Sequence, residues 1–401
     1  MPLPVLDNVT VGLDRREISP AVVRSLYVHV PFCFHKCHYC DFYSITRQSP
    51  ERMNAFVDRV LSELDGWASA SVELPIETIF FGGGTPSLLP LEAMHRLLEG
   101  IAARMNLSGL VEWTIEVNPA TADGDYLAMI KSLGVDRISL GAQSFDEQEL
   151  RVLERHHEPD DVLRGLELAR AAGIARQSID LIYAVPGQTL QSWQQSLERA
   201  IALGTEHLSC YGLTYEPNTP LAVRRRLGRV ESASESLEVS MFKHTRQRLA
   251  EAGRAAYEVS NYAQPGRESR HNLSYWAGDN YLGLGPSAAS HLDGLRFRNA
   301  PRLGQWESTV DAGHLAAIDV ERLEADERAR ELAWLNLRTT RGIDTSDFER
   351  RTGVSPTVRF SEVIDTLGSA GLLEVEAGRV RLTDKAWPVA DGVAAEFLSA
   401  E

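Results

Sequence analysis

Along this chain, apolar and polar residues follow two alternating periods. Short apolar or β-branched runs recur at "SLYVHV", "ETIFFGGG", "VEWTIEVNP", "RISLGAQS", "SIDLIYAVPG" and "LSCYGLTY". Between them, "ERMNAFVDRVLSELDGWA", "LEAMHRLLEGIAARM", "DYLAMIKSLG", "DDVLRGLELARAAG" and "LQSWQQSLERAIALG" set apolar residues at helical spacing. Strand, helix and strand at intervals of about 30 residues predict βαβ units on a parallel sheet. Six such units predict an α/β fold, a partial (β/α)6 barrel of the TIM type, with a doubly wound sheet as the alternative.

The pattern changes after residue 250, where aromatics and turn formers read as loops with short strands. From residue 318, "ERLEADERARELAWLNLRTT" reads as a helix. "SEVIDTLGSAGLLEVEAGRVRLTD" then reads as helix, strand, Ala-Gly turn and strand, and "VADGVAAEFLSA" as a closing helix. The expected division is an N-terminal segment 1–24, a core 25–250, an aromatic and turn-rich segment 251–317, and a small winged-helix-like α+β domain 318–401.

Of 401 residues, 43% are hydrophobic and 24% charged, as in an ordinary globular protein with a sizeable core. The balance of 41 basic against 56 acidic residues leaves −15, which argues against nucleic acid as the main partner. The N-terminus has no basic-then-apolar run, so no secretory signal is expected. A cytoplasmic location follows, where thiols stay reduced, with a peripheral membrane position as the alternative.

Position decides how the polar residues are read, because parallel barrels place their chemistry at the C-terminal ends of strands. Cys33, Cys37 and Cys40 follow "YVHV", Gly83, Gly84 and Thr85 follow "TIFF", and Glu116 and Asn118 end "WTIEVNP". Gln143 ends "ISLGAQ", and Asp180 lies in the run that reaches Pro186 and Gly187. Five consecutive strands thus bring unusual residues to one rim.

Three readings of the cysteine triplet compete: buried thiols without a ligand, zinc with His35 or His38 as fourth ligand, and a [4Fe–4S] cluster with one open iron. The fourth cysteine, Cys210, stands alone and reads as a buried strand residue. "RHH" at 155–157 is not taken as a metal site, since adjacent histidines rarely point at one ion.

The CxxxCxxC triplet followed by "GGGTPS" resembles the radical S-adenosylmethionine superfamily. More narrowly, it resembles the branch of oxygen-independent coproporphyrinogen III dehydrogenases and HemW-type heme chaperones. The resemblance runs from Tyr27 to the C-terminus. It implies a [4Fe–4S] cluster on Cys33, Cys37 and Cys40. It also implies S-adenosylmethionine near Tyr27, Tyr39, Gly83, Gly84, Thr85, Glu116, Gln143, Arg155 and Asp180. Glycines at a strand end would let a ligand approach the backbone.

Two features set this chain apart from the decarboxylating enzyme, which typically has a further cysteine two residues past the triplet and a longer preceding segment. Here Phe42 occupies that position, and 26 residues precede Tyr27. "RHNLSYW" holds His271, Asn272, Tyr275 and Trp276, matching the HNxxYW pattern of the chaperone branch. A histidine beside flat rings, with Arg267 and Arg270 for propionates, suits heme. The resemblance therefore implies a heme carrier serving respiratory acceptor proteins. The alternatives are coproporphyrinogen III dehydrogenase and a radical methyltransferase. A hydrogen-bonded turn residue is the bland reading of His271.

Overall fold

The computed structural model describes residues 13–14, 17–68, 70, 72–121 and 123–400. Residues 1–12, on which much of the N-terminal reading rests, lie outside the described residues. The chain forms two compact units. The first holds residues up to Phe34, Phe42–Trp113 and Asp279–Leu323; the second holds His35–Asp41, Thr114–Gly278 and the chain from Glu324 on.

In the first unit, β1 (Ser25–Val30) and β2 (Thr78–Gly83) are parallel, with Ser25 opposite Thr78 and Val30 opposite Gly83. Helices α1 (Pro50–Ala68) and α2 (Leu91–Arg104) bury apolar stripes, including Phe56, Val60, Leu64 and Leu97, Leu98, Ile101. A further strand, Tyr281–Leu284, runs parallel to β1 on its other edge. Strands Ala289–Leu292, Leu295–Asn299 and Ala317–Arg322 continue from it antiparallel. The helix expected from residue 318 therefore starts later, at Ala325. "AIDVER" pairs as a strand, and a capping box between Glu324 and Glu327 sets the true start.

The second unit carries β3 (Glu112–Val117) from Thr114 on, with β4 (Arg137–Gln143), β5 (Arg176–Tyr183) and β6 (His207–Gly212), each parallel to the next. Ile115, Ile138, Leu140, Ile179, Leu181 and Leu208 are fully buried along them, as strands covered on both faces require. The crossovers are α3 (Gly124–Ser132), then α4 (Glu147–Leu153) with α5 (Pro159–Ala171), then α6 (Leu190–Ala202). The expected alternation is present in both units.

The C-terminal reading also holds. Helix Ser361–Ser369 leads to hairpin strands Leu373–Glu376 and Arg379–Leu382, and helix Ala390–Leu398 closes the chain. Ala377 and Gly378, at φ 51° and 75°, both take the left-handed region that a two-residue hairpin turn needs.

The 251–317 segment is more ordered than expected. "RHNLSYW" is a helix, Arg270–Trp276, whose Ser269 hydroxyl caps the Asn272 N–H. A buried polar chain holds this cap in place. Ser178 Oγ lies 2.7 Å from His207 Nδ1, His207 Nε2 lies 2.9 Å from the Tyr257 hydroxyl, and Ser269 N–H donates to that hydroxyl at 3.3 Å. Burial pushes the His207 pKa well down, so the ring is neutral in this chain of bonds. Among the described residues no helix is long and apolar enough to cross a membrane.

At the centre of the first unit lies a buried carboxyl, Glu63 of α1. It accepts from Gly285 N–H at 2.8 Å, Asn299 Nδ2 at 2.6 Å and Trp306 Nε1 at 3.2 Å. These donors favour the charged form, but burial outweighs them and raises the pKa from 4.5 to about 7. Between those values the folded chain keeps a proton that the unfolded chain has lost. Stability should therefore fall as pH rises through this window, by roughly 3 kcal/mol in total, and level off above it. Urea unfolding between about pH 5 and about pH 8 measures this slope, and Glu63→Gln is expected to flatten it.

Candidate functional site

The cysteine triplet sits on the loop that leaves β1. Its root is fixed within the first unit by backbone bonds. Ile45 N–H donates to Pro31 O at 2.7 Å, and Cys33 N–H donates back to Ile45 O at 2.9 Å. From the end of β2, Gly84 N–H reaches Val30 O at 2.8 Å and Thr85 N–H reaches Phe32 O at 2.7 Å. The Thr85 hydroxyl points at Cys33 Sγ, 3.7 Å away.

These bonds explain the glycines. A Cβ on Gly84 would stand 2.7 Å from both Val30 O and Phe32 O. One on Gly83, at φ 102°, would stand 2.5 Å from the His29 ring. The space a side chain would need at both glycines is thus filled by the chain itself.

His29, a lone polar residue on an apolar strand, was not singled out in the sequence. Its Nε2 lies 2.8 Å from Tyr43 O, and its Nδ1 lies 3.2 Å from the Tyr27 hydroxyl. Burial lowers its pKa, so the ring is neutral: Nε2–H donates to the carbonyl and the Tyr27 hydroxyl donates to Nδ1. His29 thereby ties Tyr27 to the far end of the cysteine loop.

In the second unit, Cys40 N–H donates to Cys37 O at 3.3 Å. His38 is held from both sides, its N–H to Leu153 O at 3.3 Å and its carbonyl receiving Leu221 N–H at 3.0 Å. Tyr39 packs on Leu153, Ile182, Val185, Leu213 and Leu221. Arg155 spans two groups, with Nη2 on Gly141 O at 2.5 Å and Nη1 at 3.7 Å from Cys37 Sγ.

The strand ends carry the other expected residues. Asp180 accepts from Ser139 Oγ at 3.0 Å; burial raises its pKa, while the hydroxyls of Ser209 and Ser139 and the charges of Arg137 and Arg155 act against that. Burial likewise pushes the Tyr39 hydroxyl up; Arg155 opposes the shift, and Cys37, Cys40 and Asp180 add to it. Tyr39, Cys37, Cys40, Arg155 and Asp180 therefore share one electrostatic neighbourhood. Gln143 sits at a bulge with φ 65°, its amide 2.8 Å from where a Gly141 Cβ would be. Glu116 is half-buried beside Ser139, and Asn118 caps the following turn at Ala120 N–H. Ser139 and Ser209 were missed in the sequence, since small hydroxyls on strands give no signal of their own.

The three thiols are half-buried, and none is in a disulfide. Two of them face a hydrogen-bond donor, as metal-bound sulfur does in cluster sites. That donor set fits an iron–sulfur cluster. Cys210 is buried in β6, and burial pushes its thiol pKa up.

His271 is 1% exposed. Its Nε2 lies 2.8 Å from the Tyr275 hydroxyl, with the two ring centroids 4.8 Å apart. Trp276 lies under the Arg338 guanidinium, and its carbonyl accepts from Asn336 Nδ2 at 2.8 Å. Arg267 lies 3.5 Å from Glu206. The motif residues thus share one short helix, and the histidine is turned inward.

Comparison with known proteins agrees with this architecture. Residues 27–200 match the Radical SAM superfamily, and residues 323–389 match the HemN C-terminal domain. A solved structure titled as coproporphyrinogen III oxidase (HemN) from Escherichia coli, a radical SAM enzyme, superposes with a TM-score of 0.83 at 24% identity. It covers 96% of this chain and 92% of that one, which shows a shared mixed α/β fold with a small C-terminal domain. Relatives named heme chaperone HemW are 33% identical over 93% of this chain and 97% of theirs in Lactococcus lactis, and 31% over 94% and 99% in Bacillus subtilis. The Escherichia coli HemW is 39% identical over 66% of this chain and 69% of its own. The chain is a radical SAM protein, and within that superfamily it belongs to the HemW heme-chaperone family.

The packing at Gly84 gives a direct test. Gly84→Ala should cost about 3 kcal/mol in urea unfolding, because the new methyl meets backbone carbonyls that cannot swing away. It should also impair iron uptake by the cysteine loop. Gly109→Ala, where the nearest atom would be 3.8 Å away, should be close to neutral.

Proposed function

We propose that this protein is a heme chaperone that binds heme, a [4Fe–4S] cluster and S-adenosylmethionine, and passes heme to respiratory acceptor proteins. The observation that carries the reading is the HNxxYW set, His271, Asn272, Tyr275 and Trp276, in a chain whose curated relatives are named heme chaperones. Cys33, Cys37 and Cys40 hold the cluster. Tyr27, Tyr39, Gly83, Gly84, Thr85, Glu116, Gln143, Arg155 and Asp180 form the S-adenosylmethionine side. The core is taken as 25–250, and the HNxxYW segment as 251–317.

Held on Cys33, Cys37 and Cys40 and reduced, such a cluster would supply one-electron reduction of the S-adenosylmethionine sulfonium. The chain's own residues tune and shield it. The Thr85 hydroxyl and the Arg155 guanidinium donate toward sulfur, which draws electron density from the thiolates and makes reduction easier. Tyr39 and its apolar neighbours keep water from one side of the loop. Phe42, exposed where the decarboxylating enzyme carries a cysteine, offers no further ligand.

Heme is received at His271. The imidazole must leave the Tyr275 hydroxyl and turn outward before it can ligate iron, so binding is coupled to a movement of the Arg270–Trp276 helix. Transfer to an acceptor then reverses that movement. The acceptors are respiratory proteins at the membrane, met from the cytoplasmic side.

Anaerobic hemin titration of the cluster-loaded protein, followed at the Soret band, tests the proposal. Saturation near one heme per chain is expected, with loss or a changed spectrum in His271→Ala. Tyr275→Phe, which removes the hydroxyl held against Nε2, should bind several-fold tighter. Weak, non-saturable binding indifferent to His271 would end the chaperone reading and direct attention to coproporphyrinogen turnover.

A further inference from the structure

The cysteine loop carries two histidines that the heme and cluster chemistry leaves unused. Both turn toward Glu154, the residue that ends α4. His35 Nε2 lies 3.9 Å from Glu154 Oε1, and His38 Nδ1 lies 3.3 Å from Glu154 Oε2. Neither nitrogen makes a hydrogen bond, although both are closed off from solvent. His156 joins them from the other side, its ring edge-on to His35 with centroids 4.5 Å apart. One ligand atom each from His35, Glu154 and His156 lies within 4.8 Å of the others.

The 3.9 Å separation is too long for a hydrogen bond, the 3.3 Å one leaves its nitrogen unbonded, and both are of the right size for ligands around a shared ion. Two donors bound at about 2.1 Å in tetrahedral geometry stand roughly 3.4 Å apart, and wider angles take that to about 4 Å. The longest separation closes with a small side-chain rotation, which half-exposed groups can make. His157 takes no part: it is buried, unlike its exposed neighbour His156. Adjacent histidines do point apart here, yet one of them meets partners from elsewhere in the chain.

Glu154 adds a second observation. It holds φ 57° and ψ 48°, the left-handed cap position that glycine usually fills. A residue with a side chain there costs about 1 kcal/mol, and its carboxylate is what reaches both loop histidines.

We infer that His35, Glu154 and His156 form a site for a divalent first-row transition metal of the zinc class, separate from the cluster cysteines. Two imidazoles and one carboxylate are a borderline donor set that suits zinc and leaves a fourth position for water. The ion would tie the cysteine loop at His35 to the turn that carries Arg155, whose guanidinium faces Cys37 Sγ. It would thus steady the loop whether or not the cluster is present.

The cysteines themselves bind zinc, so the test removes them. The full chain with Cys33→Ser, Cys37→Ser and Cys40→Ser is titrated with zinc ion by calorimetry, and with cobalt ion followed by visible absorption. One zinc per chain is expected, with a cobalt spectrum free of sulfur charge-transfer bands. Adding His156→Ala, an exposed position, should weaken binding at least tenfold, as should Glu154→Gln. Circular dichroism matched to the parent chain confirms that these variants fold. No saturable zinc binding in the serine variant, or binding indifferent to both substitutions, would overturn the inference.

Discussion

The cysteine loop depends on how closely the end of β2 approaches the end of β1. Two backbone bonds, Gly84 N–H to Val30 O and Thr85 N–H to Phe32 O, can form only if no side chain stands between the strands. Gly83 and Gly84 satisfy that condition, and the His29 imidazole fills the gap that remains. Once the root is set, Cys33 hangs from Ile45 O and receives the Thr85 hydroxyl. A buried backbone group without a partner costs roughly 1–3 kcal/mol, so this ladder fixes the loop in one position.

The second unit holds the rest of the loop by a different means. His38 is clasped through its backbone at Leu153 and Leu221, so Tyr39 falls onto the apolar cluster of Ile182, Val185 and Leu213. Arg155 sits just past the Glu154 cap and reaches back to Gly141 O and Cys37 Sγ. A guanidinium keeps its charge when partly buried, which suits it to face sulfur that becomes anionic on binding metal. Burial raises the Asp180 pKa, and the Arg137 and Arg155 charges act against that rise.

Much of this was legible in the chain, and the failures have physical causes. The strand and helix periods of the core are long enough to read, as is the hairpin signalled by Ala377 and Gly378. Past residue 250 the strands run two to six residues and the RHNLSYW helix seven, too short to display a period. That helix exists because Ser269 caps it and Tyr257 holds the cap, a contact no local pattern announces. The triplet, the glycines and Arg155 were visible as motifs, but the reason for the glycines lay in neighbours distant in sequence. His29, Ser139 and Ser209 look like ordinary strand residues until their partners are known, and only the fold brings Glu154 and His156 to His35.

The proposed cluster on Cys33, Cys37 and Cys40 leaves one iron open to S-adenosylmethionine. It is tested most directly by iron and sulfide analysis of the anaerobically reconstituted chain, with electron paramagnetic resonance of the reduced protein before and after S-adenosylmethionine is added. Roughly four irons and four sulfides per chain are expected, with a signal that shifts with the cofactor, all lost when any one of the three cysteines becomes alanine. An iron-free protein that retains zinc on those cysteines, or a signal indifferent to S-adenosylmethionine, would contradict it.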